Sequence, residues 1–287
     1  MAINLVTKFL PYVDELFTTE SKSNLVTNED FDWTGAHTIK VHKVNTVAMT
    51  DYDRAGTGDN PSRYGAYGAV GNTIEEFTLT KDRSFTFIID KLDADETGQV
   101  LTGAEALARQ QREVIIPEID KYVYGVMATK AGTKPEAVTL TADNIYDEIV
   151  TATEVMDDKE VPETDRSIIV PPAVYRLMKK CPDITMETDI GNDLRLKGVI
   201  AIVDGMSVIK IPAVRLPQDC GFLIAHPVAT VAPVKLDEYK IHQDPPGISG
   251  ELVEGRIVYD AFVLDNKKYA IYYQQNKAAT QSGGGTE

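Results

Sequence analysis

The sequence predicts an α+β fold. Three observations carry that prediction. Two groups of alternating strands are separated by a long glycine-rich interval, an uncommonly long helical periodicity follows, and in the second half strands and helices mix without regular βαβ alternation. The chain has 287 residues, 43% hydrophobic and 25% charged. That composition is average for a globular protein, and the length fits one large domain or two modest ones.

The elements follow in order. Phe9, Tyr12, Val13, Leu16 and Phe17 fall at helical spacing before a polar stretch that runs to Asn28. This is either a short helix on its own core or an arm that docks on a neighbouring subunit. From His37 to Asp90 the pattern is that of strands. Ile39 and Val41 alternate, and Val44 breaks the phase, which predicts a bulge. Phe77 and Leu79 alternate, as do Phe85, Phe87 and Ile89. Between these groups lies Asp51 to Gly71, rich in glycine and tyrosine. Structureless intervals of that length are functional or disordered, so we expect a long β-hairpin whose tip needs a partner surface, because an isolated hairpin is marginal in water.

Thr102 and Glu105 form a T-x-x-E capping box. Leu107, Val114, Ile115, Ile119, Tyr122, Val123, Val126 and Met127 then recur at helical period, and Gly132 and Pro135 mark the exit. Such a helix runs about 42 Å at 1.5 Å per residue. Pro117, in its middle, is expected to kink it by removing the bond to Glu113. Thr141 is expected to cap a second helix with Ile145, Ile149, Ala152 and Val155 or Met156 on one face. Arg166 to Ala173 reads as a strand entering a helix with Pro172 in its first turn, ended by Cys181-Pro182. Val199–Val203 and Met206–Ile211 flank Asp204-Gly205, the strongest short hairpin signal in the chain. Phe222–His226 and Ala229–Val234 are further strands. Leu252–Leu264 and Lys268–Tyr273 are expected to form a hairpin about Asp265-Asn266, covered on both faces.

Charge and chemistry narrow the function. Forty-four acidic residues against 29 basic give a net charge of −15, which argues against sequence-independent DNA binding by the whole surface and against anionic membranes. Asp143 to Asp165 alone holds nine acids and one lysine, a local charge of −8, read as a solvated face. Cys181 and Cys220 make neither a disulfide framework nor a zinc site and suit a reducing cytoplasm. No signal peptide or membrane span is expected, and the tail 276–287 is read as disordered. His37 and His42 fall on opposite faces of a strand, poor metal geometry. His226 is read as a hydrogen-bonded structural histidine, and His242 stands alone. Asp93, Asp95 and Gly98 resemble the start of a calcium loop, but Ala104 occupies the place where glutamate is required, so these acids are read as a loop leading into the capped helix. Gly65, Gly68 and Gly71 lie between strands and are turn glycines, and Lys179-Lys180 is too short for a nucleic-acid patch. No catalytic, cofactor-binding or metal-binding residue emerges.

Two stretches carry a family resemblance. Arg112-Glu-Val-Ile-Ile-Pro-Glu-Ile-Asp-Lys-Tyr122 is similar to the proline-bearing spine helix of one large group of tailed-phage major capsid proteins with the Hong Kong 97-type fold. Val253-Glu-Gly-Arg-Ile-Val-Tyr-Asp-Ala-Phe-Val-Leu-Asp-Asn266, followed by Ala270-Ile-Tyr-Tyr, resembles the C-terminal P-domain strands of that group. The order of elements fits as well, over about residues 1 to 275. The resemblance implies an N-terminal arm (1–30), an E-loop hairpin region (31–97), a P-domain spine helix (98–139), an A domain (140–225), P-domain C-terminal strands (226–275) and the tail (276–287). It implies a coat protein that is not an enzyme. Many copies would assemble as hexamers and pentamers into an icosahedral head around double-stranded DNA, in the virion and, before that, in the bacterial host cytoplasm. A separate scaffolding protein, a portal and a decoration protein are the expected partners, and the DNA is enclosed without sequence-specific binding. Lys81 and Asn266 can be nominated for the lysine–asparagine cross-link of some members, but no local motif supports the pair. Two alternatives stand beside this reading: an encapsulin-like nanocompartment shell, and a soluble acidic hydrolase with an unrecognised site.

Overall fold

The computed structural model describes residues 21–28, 38–56, 58, 62–96, 102–184 and 199–277. The apolar stripe Phe9 to Phe17, His37, Gly98 and the end of the tail lie outside them. The chain divides into two units, Trp33–Thr80 and a body made of Met1–Asp32 with Lys81–Glu287.

The smaller unit is a hairpin. Strand β1 (Thr38–Val44) pairs antiparallel with β2 (Asn72–Thr78), Thr38 opposite Thr78 and Val44 opposite Asn72. The register is unbroken, so the bulge expected at Val44 is absent. Val44 is 66% exposed, and a strand face that is not buried imposes no alternation on its sequence. Ion pairs Lys40–Glu76 (2.6 Å) and Lys43–Glu75 (2.9 Å) tie the strands. At the base the hydroxyls of Thr38 and Thr78 meet at 2.9 Å. Beyond the strands the two arms of the tip stay together. The Asn45 N–H donates to the Gly71 carbonyl (3.0 Å), the Asp53 N–H to that of Arg63 (2.9 Å), and the Thr50 hydroxyl to that of Tyr64 (2.9 Å). The Asp53 carboxylate closes the turn by accepting from the N–H groups of Gly56 (2.8 Å) and Gly58 (2.7 Å).

The body begins with β3 (Lys81–Asp90), in which Phe85 and Phe87 are half-buried and Ile89 is buried, the alternation read from sequence. It runs into α1 (Lys91–Glu96). Asp93 and Asp95 therefore sit on a short helix, not in the loop expected for them. Thr102 caps α2 (Gly103–Gln110), its hydroxyl accepting from the Glu105 N–H at 3.4 Å. Helical structure then continues without a break through a π-helical segment (Gln111–Ile115) and α3 (Ile116–Lys130). The place where the sequence predicts a kink, Pro117, follows directly on this π-helical segment. Proline in mid-helix clashes with the carbonyl four residues back. Here the chain widens before it, the Ile116 N–H reaching five residues back to the Gln111 carbonyl, and Pro117 starts the next helix.

Helix α4 (Ile145–Asp157) buries Ile145, Ile149, Ala152 and Met156, the face its periodicity defines. Its cap residue is Asn144, not Thr141. Thr141 acts in the turn before the helix, where its hydroxyl accepts from the Asn144 N–H (3.3 Å) and its own N–H donates to Asn144 Oδ1 (2.8 Å). Strand β4 (Ser167–Val170) enters α5 (Pro172–Lys180), with Pro172 in the first turn. Strands β5 (Val199–Val203) and β6 (Met206–Lys210) form the hairpin signalled by Asp204-Gly205, whose φ angles of 51° and 74° are both positive, as a type I′ turn requires. The remaining strands are β7 (Cys220–Ala225), β8 (Thr230–Val231), β9 (Val234–Gln243), β10 (Gly250–Tyr259), β11 (Phe262–Val263) and β12 (Ile271–Gln275).

Five strands form one sheet in the order β12-β7-β4-β6-β5, parallel only between β4 and β6. Its middle strands β4 and β7 are buried along their whole length. A three-stranded sheet has the order β3-β10-β9. The hairpin expected about Asp265-Asn266 does not form. Asp265–Ala270 is a short 3-10 helix, β10 pairs with β3 and β9, and β12 pairs with β7. A two-residue hairpin turn needs positive φ, and neither Asp265 nor Asn266 adopts it. The turn that feeds β10 comes from β9 instead, through Asp244 (φ 45°) and Gly247 (φ 88°). Val123, Tyr124 and Met127 of α3 share the main core with Ile145 and Ile149 of α4 and with the large sheet, where the Phe222 and Tyr272 rings stack at 6.1 Å. Ile115, Ile257 and Tyr259 form a second cluster on the three-stranded sheet.

Candidate assembly surfaces

The candidate chemical groups resolve into structural roles. His226 caps a 3-10 turn, its Nδ1 accepting from the Val228 N–H at 3.1 Å. Burial is the main cause that holds its pKa below the ordinary 6.5. His42 Nδ1 accepts from the Asn72 amide at 3.0 Å, and His242 lies 3.4 Å from Glu254 on an exposed sheet face. Cys181 and Cys220 are free and buried, and burial pushes the Cys220 thiol up to about 12, the opposite of an activated nucleophile. Among the described residues no group of three His, Cys, Asp or Glu side chains is placed to hold a metal ion, and no helix is long and apolar enough to cross a membrane. Lys81 Nζ stands 4.9 Å from the centre of the Tyr122 ring, while Asn266 belongs to the 3-10 helix Asp265–Ala270.

Two polar constructions organise the body. Asp120, only 1% exposed, is held on both oxygens. The Ser21 hydroxyl donates to Oδ1 at 2.6 Å and Arg215 Nη1 to Oδ2 at 2.8 Å. One turn on, burial and then the Asp120 charge push the Tyr124 phenol up. Arg166, 2% exposed, donates to the carbonyls of Pro162 (2.8 Å) and Val161 (2.5 Å) and pairs with Asp157 at 2.7 Å. It pins down the loop that carries the acids following α4. Asp143, Asp147, Glu154, Asp158, Glu160 and Glu163 are all exposed, in keeping with a solvated face.

What stands out is exposed apolar surface in the hairpin unit. Met49 is 99% exposed, Tyr64 80% and Tyr67 81%, and Val47, Tyr52 and Val70 are each more than half exposed. Large apolar side chains are not kept in water on this scale unless something covers them. A second surface is a groove along α3, lined by Lys81, Arg83, Lys121, Tyr122, Gly125 and Lys130 among others. Sequence reasoning did not find it. Lys121 and Gly125, four residues apart on α3, were its only local sign.

An exposed aromatic hairpin and a long helix interrupted by a π-helical segment are features of a subunit that presents surface to neighbours. A family model for phage capsid protein matches residues 72–273, and the chain belongs to that family. It is a structural protein of the virion, not an enzyme, and its copies assemble into a capsid. Solved structures share its fold nearly end to end. A chain from Mycobacterium phage Che8 is 19% identical, with 95% of this chain and 96% of that one covered and a TM-score of 0.71. The capsid of cyanophage P-SCSP1u is 16% identical over 96% and 93%, at 0.70. The mature capsid of bacteriophage PhiM1 is 14% identical over 96% and 93%, at 0.67. These likenesses establish the Hong Kong 97-type capsid fold, and a nanocompartment reading has no better support. No curated protein sequence matches the chain.

Proposed function

We propose that this major capsid protein closes into hexamers and pentamers of an icosahedral head that encloses double-stranded DNA without reading its sequence. Assembly takes place in the host cytoplasm with a separate scaffolding protein and a portal, and a decoration protein can bind the finished shell. In this reading residues 1–30 are an arm, 31–97 carry the E-loop, 98–139 the spine helix, 140–225 the A domain and 226–275 the returning P-domain strands. The observation that carries it is the hairpin tip. Met49, Tyr64 and Tyr67 stand almost wholly in water, which is tolerable only where a neighbouring subunit covers them. The net charge of −15 supports it too, since a repelling wall lets packaged DNA slide.

Negative-stain electron microscopy of the purified protein, alone and with the product of the gene upstream, tests the proposal. Closed shells of uniform size with five- and six-fold clusters are the expected result. A homogeneous dimer or tetramer under every condition sinks it.

A further inference from the structure

The groove along α3 has a volume of about 610 Å³. Lys81 and Arg83 of β3 form one side, and Lys121 and Lys130 stand on α3. Its one acid, Glu118, is already engaged by Arg83 (2.9 Å) and by the Tyr259 hydroxyl (3.2 Å). Lys121 and Lys130 are exposed and make no ion pair among the described residues. A cluster of cations with so little local acid is out of character for a chain of net charge −15.

Gly125 lines the groove on α3. Glycine weakens a helix interior relative to alanine, so it calls for a reason. Packing within the chain supplies none, since nothing lies within 4 Å of where its Cβ would stand. A bare helix backbone facing outward is what the close approach of another main chain requires. A concave slot of this size takes an inserted length of polypeptide; the broad, convex backbone of a DNA duplex fits it poorly.

The chain itself carries the complementary charge. Asp143 to Asp165 holds −8, of which the loop 158–165 carries four acids (Asp158, Glu160, Glu163 and Asp165) and one lysine (Lys159), a charge of −3, and no residue of that segment lines the groove. Its last part, the loop 158–165, is held in shape from below by the buried Arg166. A charged loop fixed in advance loses little freedom when it docks.

We propose that the α3 groove receives the acidic loop 158–165 of a second copy of this chain, its carboxylates facing Lys121 and Lys130 and its main chain crossing at Gly125. The proposal rests on the shell reading. It describes one heterologous contact, repeated from subunit to subunit, of the kind that closes a ring.

The test is shell yield by electron microscopy and sedimentation, with the full chain and its scaffold, and with circular dichroism and melting of the unassembled subunit as a check on folding. Lys121→Glu with Lys130→Glu is expected to leave the subunit folded and to cut shell yield by about tenfold or more, the effect of losing roughly 1.4 kcal/mol per contact. Adding Glu160→Lys and Glu163→Lys to the same chain should restore it. Gly125→Leu, whose Cβ would stand clear of every atom outside its own helix backbone, should fold normally and block assembly. Shells at parental yield from the lysine variant or from Gly125→Leu overturn the groove as a contact. If such lysine-variant shells then package less DNA, the cations serve the genome instead. Loss without rescue by the lysine substitutions at 160 and 163 overturns the named occupant. A parent chain that forms no shells at all fails the shell reading first, and the contact with it.

Discussion

Asp120 shows how much a single side chain can hold. Its carboxylate is 1% exposed and joins three separated parts of the chain: Ser21 near the N-terminus, its own helix α3, and Arg215 ahead of β7. Removing one member of a buried ion pair leaves the other uncompensated, at a cost of about 3–5 kcal/mol. We expect Arg215→Ala to lower subunit stability by that amount in urea unfolding, and Asp120→Ala to do the same. His226 makes a smaller, pH-dependent contribution. Its folded pKa is depressed from 6.5, so the unfolded chain takes up the proton first. The contribution is whole above 6.5 and is lost as pH falls from there toward the lower folded value. Urea midpoints measured on either side of 6.5 should show the loss, and His226→Ala should flatten that part of the profile. None of these partners was legible in the sequence. Ser21, Asp120 and Arg215 are distant along the chain, and no spacing rule joins them.

At the scale of the element, the sequence was legible where local physics decides. Asp204-Gly205 makes its hairpin because both residues accept positive φ, and α4 buries the four residues its period selects. Legibility failed where pairing is chosen at long range. β9 carries Lys235, Glu238, Lys240 and His242 along its length, a pattern too polar to announce a strand, and only its pairing with β10 makes it one. Asp265-Asn266 shows the reverse error, a turn signature absorbed into a 3-10 helix because β12 finds its partner in β7. For the long helix, Pro117 makes the π-helical segment necessary. Pro117→Ala removes that demand and should let α2 and α3 merge into one regular helix without unfolding the subunit. Particles of changed size or lowered yield by electron microscopy are the expected outcome. Normal particles would count against the π-helical segment as a curvature device.

At the scale of the whole molecule, the hairpin unit and the body follow different rules. The body has a core of its own built from α3, α4 and the large sheet, whereas the hairpin holds the apolar side chains of its tip in water. Replacing residues 46–70 with a short turn should therefore leave a folded, soluble body whose thermal melt matches the parent within a few degrees, yet form no stable shells. Assembly equal to the parent would remove the tip from the list of contacts. The family was legible in the order of elements and in two degenerate stretches. The surfaces that do the work were not, because exposure and concavity are properties of the folded chain.

The paired threonines at the base of the hairpin carry one more consequence. With Thr38 and Thr78 fastened together, everything between them is a closed loop whose length the rest of the protein does not sense. Doubling such a loop costs only about 0.6 kcal/mol in closure entropy. An insertion at the turn beside Gly56 should thus leave the unassembled subunit folded and be felt only at assembly, where a neighbour must seat on the tip.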